Sequence, residues 1–192
     1  MNKTISLLIF FSLLSCFRKN NIEVNFADAN EKVVILSAMN NRQYITRILF
    51  PKRIKITNVS NSTISFVKLT YLYNQNMPIE KDYGIGLFEQ KNNKLYTIST
   101  TGKKKIDSKK WLEYSLYTKH YIDTSALNQK KFKEFTNKMF SENKDTLHIG
   151  TVSEFKQKHK DLFEKLTKND SISIQLLDDG KLGKLISVPV SW

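Results

Sequence analysis

The chain has 192 residues, which suits a single domain with a core that needs no disulfide bonds, and its single cysteine excludes an intrachain disulfide. A hydrophobic content of 40% with 12 Phe and 8 Tyr excludes a disordered chain. The net charge of +13 would suit a nucleic-acid partner, but only four of the 31 basic residues are Arg, the residue that pairs best with phosphates and bases, so we predict no nucleic-acid binding.

Two origins of the basic charge stay open. Joint richness in Lys, Asn and Ile is typical of an AT-rich genome, in which case the charge has no function. A lysine-rich surface is also attracted to anionic membranes and to acidic partners.

Residues 1–15 have the pattern of a secretory signal peptide. Lys3 gives a positive start, and Ile5–Leu14 is an apolar run that only Ser6 and Ser12 interrupt. The run is too short to span a bilayer comfortably, since a transmembrane helix takes about 17–25 residues. We therefore predict a cleaved signal peptide, with an uncleaved single-pass anchor as the alternative.

The end of this run, Leu13-Leu14-Ser15-Cys16, resembles the lipobox of bacterial lipoproteins, and the resemblance covers residues 1–16 only. It implies cleavage after Ser15 and a diacylglyceryl group on the Cys16 sulfur, often with a further fatty acid such as palmitate on the new amino group. Two or three acyl chains would hold the protein on a membrane, because each buried CH₂ contributes about 0.8 kcal/mol. The alternative is a chance cysteine that follows an ordinary signal peptide.

Residues 16–30 are predicted to be the lipidated cysteine and a flexible polar tether. Arg18 and Lys19 would lie at the lipid headgroups. In enteric lipoproteins an Asp after the lipidated Cys retains the protein in the inner membrane, whereas this chain has Phe17. The resemblance therefore implies a cell-envelope protein on the outer membrane that faces the periplasm.

Residues 31–192 are predicted to form one β-rich domain, because β-branched runs and alternating patterns are separated by turn residues. The predicted strands up to residue 122 are Lys32–Ala38, Tyr44–Phe50, Arg53–Val59, Ile64–Tyr73, Tyr83–Gln90, Lys94–Ser99 and Trp111–Ile122. Pro51 ends the second strand. The third and fourth strands are predicted to pair in a hairpin, as are the fifth and sixth. Thr101–Lys110, with three consecutive lysines, is predicted to be a solvated loop.

The hydrophobic period becomes helical between about residues 125 and 168. Ser125–Asn143 is predicted to form one helix, and Thr151-Val152-Ser153-Glu154 matches a capping box that opens a second. Thr146–Ile149 between the helices is predicted to be a short strand. The pattern therefore predicts a late two-helix insertion.

The chain closes with a predicted hairpin, in which Ser171–Leu177 and Lys184–Trp192 flank the turn Asp178-Asp179-Gly180. Pro189 indicates an edge strand or a strand end. We therefore predict an α+β, mainly-β fold: an antiparallel, immunoglobulin-like β-sandwich with the two-helix insertion. The alternative is a single antiparallel sheet with both helices on one face.

No motif indicates catalysis, a metal ion or a cofactor. The histidines His120, His148 and His159 lack a zinc-site spacing, and no Gly-x-Ser-x-Gly nucleophile motif occurs. Gly84-Ile85-Gly86 lacks the third glycine of a dinucleotide loop, so we predict a strand irregularity there. Asp178-Asp179-Gly180 lacks the remaining ligands of a calcium loop and is predicted to be a turn.

Three aromatic residues are the candidate binding surface. Trp111, Tyr117 and Tyr121 fall on one face of the strand predicted over residues 111–122. Tyr and Trp suit recognition because they bury a large area at little entropic cost, although they equally suit the face of a sandwich.

The sequence thus predicts a lipid-anchored binding or assembly module without enzymatic activity. One alternative is an envelope-anchored inhibitor of the immunity type, whose basic surface meets an acidic envelope protein or polymer. Another is a weak enzyme that acts on envelope polymers. A deep pocket lined by His120 or His148 with converging carboxylates would support that alternative. Separately, Glu80, Asp82 and Glu89 cluster near one loop, where a general acid–base pair is conceivable.

Overall fold

Most of the chain beyond the predicted signal peptide folds into antiparallel strands. The computed structural model describes residues 21–38, 41–76, 84–92, 94–125 and 129–192. Ser15 and Cys16 lie outside the described residues, as do Glu80 and Asp82. Within the described ranges no helix is long and apolar enough to cross a bilayer.

The described residues form eleven strands, three short α-helices and one 3₁₀ turn, which confirms the mainly-β, α+β prediction. The strands are β1 (Ile22–Asp28), β2 (Val33–Ala38), β3 (Asn41–Asn58), β4 (Ile64–Leu72), β5 (Ile85–Lys91), β6 (Lys94–Ile98), β7 (Thr101–Ile106), β8 (Trp111–Tyr121), β9 (Thr146–Ile149), β10 (Ser171–Asp178) and β11 (Lys181–Pro189). The helical segments are the 3₁₀ turn (Lys130–Phe132), α1 (Lys133–Ser141), α2 (Val152–Lys158) and α3 (Lys160–Thr167).

The longest strand, β3, spans 18 residues and organises the larger of two sheets. Its inward side chains recur with a period of two, and Ile48, Phe50, Ile54 and Ile56 are each 0% exposed. On one side β3 pairs with β8 along most of its length. On the other side it pairs first with β2 and then with β1.

The prediction that Pro51 ends a strand is wrong, because β3 continues through it. On the β8 side, the carbonyl oxygen of Thr46 accepts from the N–H of Ile122. Strand alternation therefore turns the odd-numbered Pro51 nitrogen to the other side. There it falls in the gap between the pairing with β2, which ends at Leu49, and the pairing with β1, which begins at Lys52. The missing N–H therefore removes no ladder hydrogen bond.

The tether predicted for residues 16–30 is wrong from Ile22 onward, because Ile22–Asp28 forms β1 in the larger sheet. Ile22 is buried, and Val24 and Phe26 pack half-buried against the core. Polar residues alternate with these three, so a segment that is polar on average still forms a half-buried strand.

The strands divide into two antiparallel sheets. The larger sheet has the order β6-β5-β8-β3-β2-β9, with β1 also beside β3, and the smaller has the order β11-β10-β4-β7. The hairpin predicted between Arg53–Val59 and Ile64–Tyr73 is wrong, since these segments lie in different sheets. The buried Asn58 fixes the crossover, because its amide donates to the carbonyl oxygens of Ser62 (2.7 Å) and Ile106 (3.0 Å).

The other two predicted hairpins, β5–β6 and β10–β11, are confirmed. The turn Asp178-Asp179-Gly180 has φ of 46° and 79° at its last two residues, as a type I′ turn requires. The loop predicted for Thr101–Lys110 is wrong over its first six residues, which form β7 at the edge of the smaller sheet. Consecutive lysines on an edge strand oppose pairing with other chains.

One face of the larger sheet supports two hydrophobic cores. The first core lies between the two sheets and includes Ile54, Phe66 and Ile174. The second lies between the larger sheet and the helices and includes Ile48 and Phe135. The smaller sheet and the helices therefore cover neighbouring halves of the same face. The sandwich prediction describes one half, and its alternative of helices on one face of a sheet describes the other.

The predicted capping box is confirmed at the start of α2. The Thr151 hydroxyl accepts from the Glu154 N–H (3.3 Å), and the Glu154 carboxylate accepts from the Thr151 N–H (2.6 Å). The second predicted helix is divided at His159, whose φ of −131° and ψ of 45° lie outside the helical region. The His159 ring packs against Phe155 and Phe135, so this histidine is part of the boundary of the helical core.

Candidate functional site

The outer face of the larger sheet, opposite the two cores, holds the three aromatic residues of the predicted binding surface. Trp111, Tyr117 and Tyr121 occupy alternate positions of β8 on this face. Two of them are stacked with cations: Lys55 Nζ lies 4.4 Å from the centroid of the Trp111 ring, and the guanidinium carbon of Arg47 lies 5.3 Å from that of Tyr121. Such pairs join a flat apolar surface to a positive charge.

The three aromatic residues do not form one compact patch. Trp111 and Tyr121 stand at opposite ends of β8, roughly 33 Å apart along an extended strand. Tyr117 lies between them and packs edge-on against Phe88, with 5.8 Å between ring centroids. Burial and the nearby Glu31 carboxylate raise the pKa of Tyr117. The predicted surface is therefore two separate regions, one at each end of the strand.

Two clefts open beside Tyr121. The first has a volume of about 260 Å³ and lies between the end of β8 and α3. Besides Tyr121 it is lined by Ile122, Phe132, Leu162, Leu166, Asp123, Lys131, Asp161 and Lys165. The second has a volume of about 690 Å³ and includes Arg47, Thr46 and Asp145. An apolar floor with a charged rim is the usual composition of a binding cleft.

A buried polar cluster lies where the two cores meet. Asp170 is 3% exposed and accepts hydrogen bonds from the Tyr71 hydroxyl (2.7 Å) and the Asn74 N–H (3.1 Å). Burial raises the pKa of Asp170 to about 6, although both hydrogen bonds favour its charged form. Burial and the adjacent carboxylate also raise the pKa of Tyr71 well above its usual value.

His120 belongs to the same cluster and is neutral. Burial lowers its pKa to about 3, so its Nδ1–H donates to the Leu166 carbonyl oxygen (3.0 Å) and its Nε2 accepts from the Thr118 hydroxyl (2.8 Å). Its Nδ1 lies 3.9 Å from Asp170 Oδ2. Because the imidazole is neutral, this contact is not an ion pair at neutral pH.

Asp170, His120 and Thr118 have the order of a carboxylate–imidazole–hydroxyl catalytic set, but their exposures are 3%, 2% and 0%. Asp170 borders a surface cleft of about 290 Å³, whereas His120 and Thr118 are not part of its lining. In this arrangement the cluster joins the two cores instead of presenting a nucleophile. Sequence reasoning missed Asp170 and its partner Tyr71, because an acidic residue between a helix and a strand has the appearance of a solvated turn.

A third missed residue is Lys52, which is 3% exposed. Its Nζ lies 2.8 Å from Asp28 Oδ1 and 5.1 Å from the centroid of the Trp192 ring. The hydrogen bond and charge of Lys52 lower the pKa of Asp28. Trp192 in turn packs edge-on against Phe50 and Phe163. The alternation of β3 was the available signal, because it places Lys52 on the buried face.

The remaining candidates lie on the surface or in turns. His148 is exposed and borders a shallow cleft with Glu142. The strand irregularity predicted at Gly84-Ile85-Gly86 is wrong, because Gly84, with φ of 72°, lies in the turn that precedes β5, and Ile85 and Gly86 pair with β8 without a register shift. Glu89 forms a surface ion pair with Lys91 at 2.7 Å. In the described part of the chain no group of three or more His, Cys, Asp or Glu could hold a metal ion.

The structure thus offers two exposed regions with chemistry suited to recognition, one around Trp111 and one around Tyr121. No protein-family model matches the chain, and no similar protein was found among the curated proteins or the solved structures.

Proposed function

We propose that the protein is a non-enzymatic binding module of the cell envelope, held by lipidated Cys16 on the outer membrane and facing the periplasm. The binding role rests on the pair of clefts beside Tyr121, and the anchor rests on the lipobox-like Leu13-Leu14-Ser15-Cys16. Tyr121 pairs with Arg47 on β3, whereas β1 begins opposite Asn58. Along β3 these positions are roughly 36 Å apart. The clefts therefore lie far from the end of the domain that follows the anchor.

The cations at these clefts, together with the basic net charge of the chain, favour a partner with acidic groups and an apolar segment, such as an acidic envelope protein or polymer. Arg47, Lys131 and Lys165 would pair with acidic groups, and Leu166 would be covered by the apolar segment. The basic net charge, which is +13 for the full sequence and falls only by the charge of Lys3 on cleavage, would increase the rate of association with such a partner. The three aspartates at the clefts supply acceptors for hydrogen-bond donors of the partner.

Replacement of Cys16 tests the anchor. The change Cys16→Ser should abolish incorporation of labelled palmitate and move the protein from the membrane fraction to the soluble fraction, because the oxygen does not accept the diacylglyceryl group. Ser6→Ala is the matched control, since it alters the apolar run and leaves the lipobox intact. A Cys16→Ser protein that still sediments with membranes would show that something other than lipid holds it.

Site-specific photocrosslinking tests the clefts. A photoreactive amino acid in place of Lys165, on the rim of the first cleft, should give a discrete crosslinked product in intact cells. The same amino acid in place of Lys181, an exposed lysine in the β10–β11 hairpin, is the control and should not give it. The yield of this product should fall severalfold when Lys131→Glu is added, because the acidic group of the partner would then be repelled.

Two results of this crosslinking would change the proposal. An identical product from positions 165 and 181 would contradict a binding site at the clefts. A secreted hydrolase or toxin in the product would favour the inhibitor alternative over a general assembly module.

We also propose that part of the sandwich is immunoglobulin-like. Strand β4 pairs with β7, and β5 pairs with both β6 and β8. These are the neighbour relations of the immunoglobulin strands B with E, and C with C′ and F. Strands β3 and β10 would then occupy the positions of G and A. Superposition of an experimental structure on an immunoglobulin domain over these strands tests the proposal.

A further inference from the structure

The chain between the proposed anchor and the domain is short. Cys16 is six residues before Ile22, where β1 begins, and six residues span at most about 22 Å even when fully extended. The glycerol-linked sulfur of Cys16 would lie in the headgroup layer, because its acyl chains enter the bilayer. The start of β1 therefore has to stay close to the membrane.

The position of β1 determines which end of the molecule faces the membrane. Ile22 lies opposite the last residue of β3, and Trp111 lies opposite the residue before it. The turn Asp107–Lys110 leads directly into Trp111. The tip of the β5–β6 hairpin is at the same end, since β5 is antiparallel to β8 and pairs Phe88 with Ser115. We call this end of the larger sheet the anchor end.

The anchor end carries an exposed aromatic ring among cations. Trp111 is 52% exposed, although a tryptophan usually buries most of its surface. Lys55 Nζ lies 4.4 Å from its ring centroid. The other lysines of this end are the exposed Lys91, Lys94, Lys109 and Lys110, and the acidic residues are Glu23, Glu89, Asp107 and Glu113. Tryptophan rings concentrate at the headgroup level of membranes, and lysines extend toward phosphates.

We propose that the anchor end docks on the lipid headgroups of the membrane that holds Cys16, with the Trp111 ring in the interfacial layer. This inference rests on the proposed lipid anchor. The docked orientation points β3 away from the bilayer, so the clefts beside Tyr121 lie at the far end of the molecule. The short connection, the position of Ile22 and the exposure of Trp111 all favour this one surface over the others.

Quenching by brominated lipids tests the docking. The chain has two tryptophans, and Trp192 packs near the middle of the molecule against Phe50 and Phe163. The full-length lipidated protein is placed in phosphatidylcholine–phosphatidylglycerol vesicles with or without brominated acyl chains. The fluorescence emission of Trp111 is obtained by subtracting the emission of the Trp111→Phe variant from that of the wild type. In vesicles with brominated acyl chains this emission should fall at least about twofold, because the ring would lie at headgroup depth. Emission of the Trp111→Phe variant, which reports Trp192 alone, should change little.

The outcomes separate this inference from the proposed anchor. Intact mass shows whether Cys16 carries lipid, and an unmodified cysteine would overturn both proposals. A lipidated protein whose Trp111 emission is unchanged by brominated lipid would overturn the docking alone. Absence of quenching with a dimer in sedimentation would assign the anchor end to a second copy of the chain, and would equally overturn the docking. Circular dichroism verifies that Trp111→Phe is folded.

Discussion

Burial shifts the pKa values of two residues in the buried cluster in opposite directions. Asp170 has its pKa raised to about 6 and His120 has its pKa lowered to about 3. Both shifts favour neutral side chains where the two cores meet. The cluster is therefore uncharged near pH 5 and costs less to bury there than either group would cost in its charged form.

The pH dependence of stability follows from these shifts. Between about pH 4 and 6 the folded state keeps a proton on Asp170 that the unfolded state, with a pKa of 3.8, has released, so Asp170 lowers stability as the pH rises. Over the same interval the unfolded state binds a proton at His120, with a pKa of 6.5, that the folded state does not bind, so His120 raises stability as the pH rises. The two effects partly cancel in the wild type.

The change Asp170→Asn should remove the first effect and leave the second. The free energy of unfolding of this variant should therefore increase by about 1–3 kcal/mol more than that of the wild type between pH 4 and 6. Urea denaturation at several pH values measures the difference. Asp161→Asn, at an exposed position, is the control and should follow the wild-type profile. If the unfolding free energies of Asp170→Asn and wild type change in parallel with pH, Asp170 does not have a raised pKa in the folded state.

At the scale of elements, β1 is the strand whose removal is most informative. A chain that begins at Glu31 lacks β1 and leaves one side of β3 without its partner. It also loses the contacts of Ile22, Val24 and Phe26 with the first core. Each such side chain contributes about 1.5–3 kcal/mol when fully buried, so the loss should be at least about 3 kcal/mol.

Thermal and urea unfolding of the two chains measure this loss. The chain that begins at Asn21 keeps β1 and serves as the reference, and it should match the full domain. Equal unfolding midpoints for the chains from Asn21 and from Glu31 would show that β1 adds nothing to the core.

The elements that sequence reasoning predicted well are those with local signals. The capping box at Thr151, the turn Asp178-Asp179-Gly180 and the alternation of β8 each depend on residues close together in the chain. The errors at Ile22–Asp28 and Pro51 have a different origin, because pairing with distant strands decides both.

The same distinction applies to the candidate site. Trp111, Tyr117 and Tyr121 were placed on one face by alternation, and the structure has them at alternate positions of one strand. Their separation into two regions follows from their spacing along β8, whereas the first cleft beside Tyr121 depends on where α3 lies. Asp170 and Tyr71 meet across a sequence distance of 99 residues, which no local pattern reports.

At the scale of the whole molecule, the sharing of β3 ties the two halves together. Its residues Ile48 and Phe50 belong to the helical core, and Ile54 and Ile56 belong to the core between the sheets. Trp192 contacts both cores at their junction. Neither half can lose β3 without exposing the other, so the described residues form one cooperative unit.

The pairing of β1 with β3 also has a mechanical consequence. If lipid holds the chain before Ile22 and a partner binds beside Tyr121, tension between membrane and partner acts along the axis of β1. The hydrogen bonds between β1 and β3 would then be loaded together in shear instead of breaking one after another from the end. A strand attached in this way resists force better than one that can be peeled.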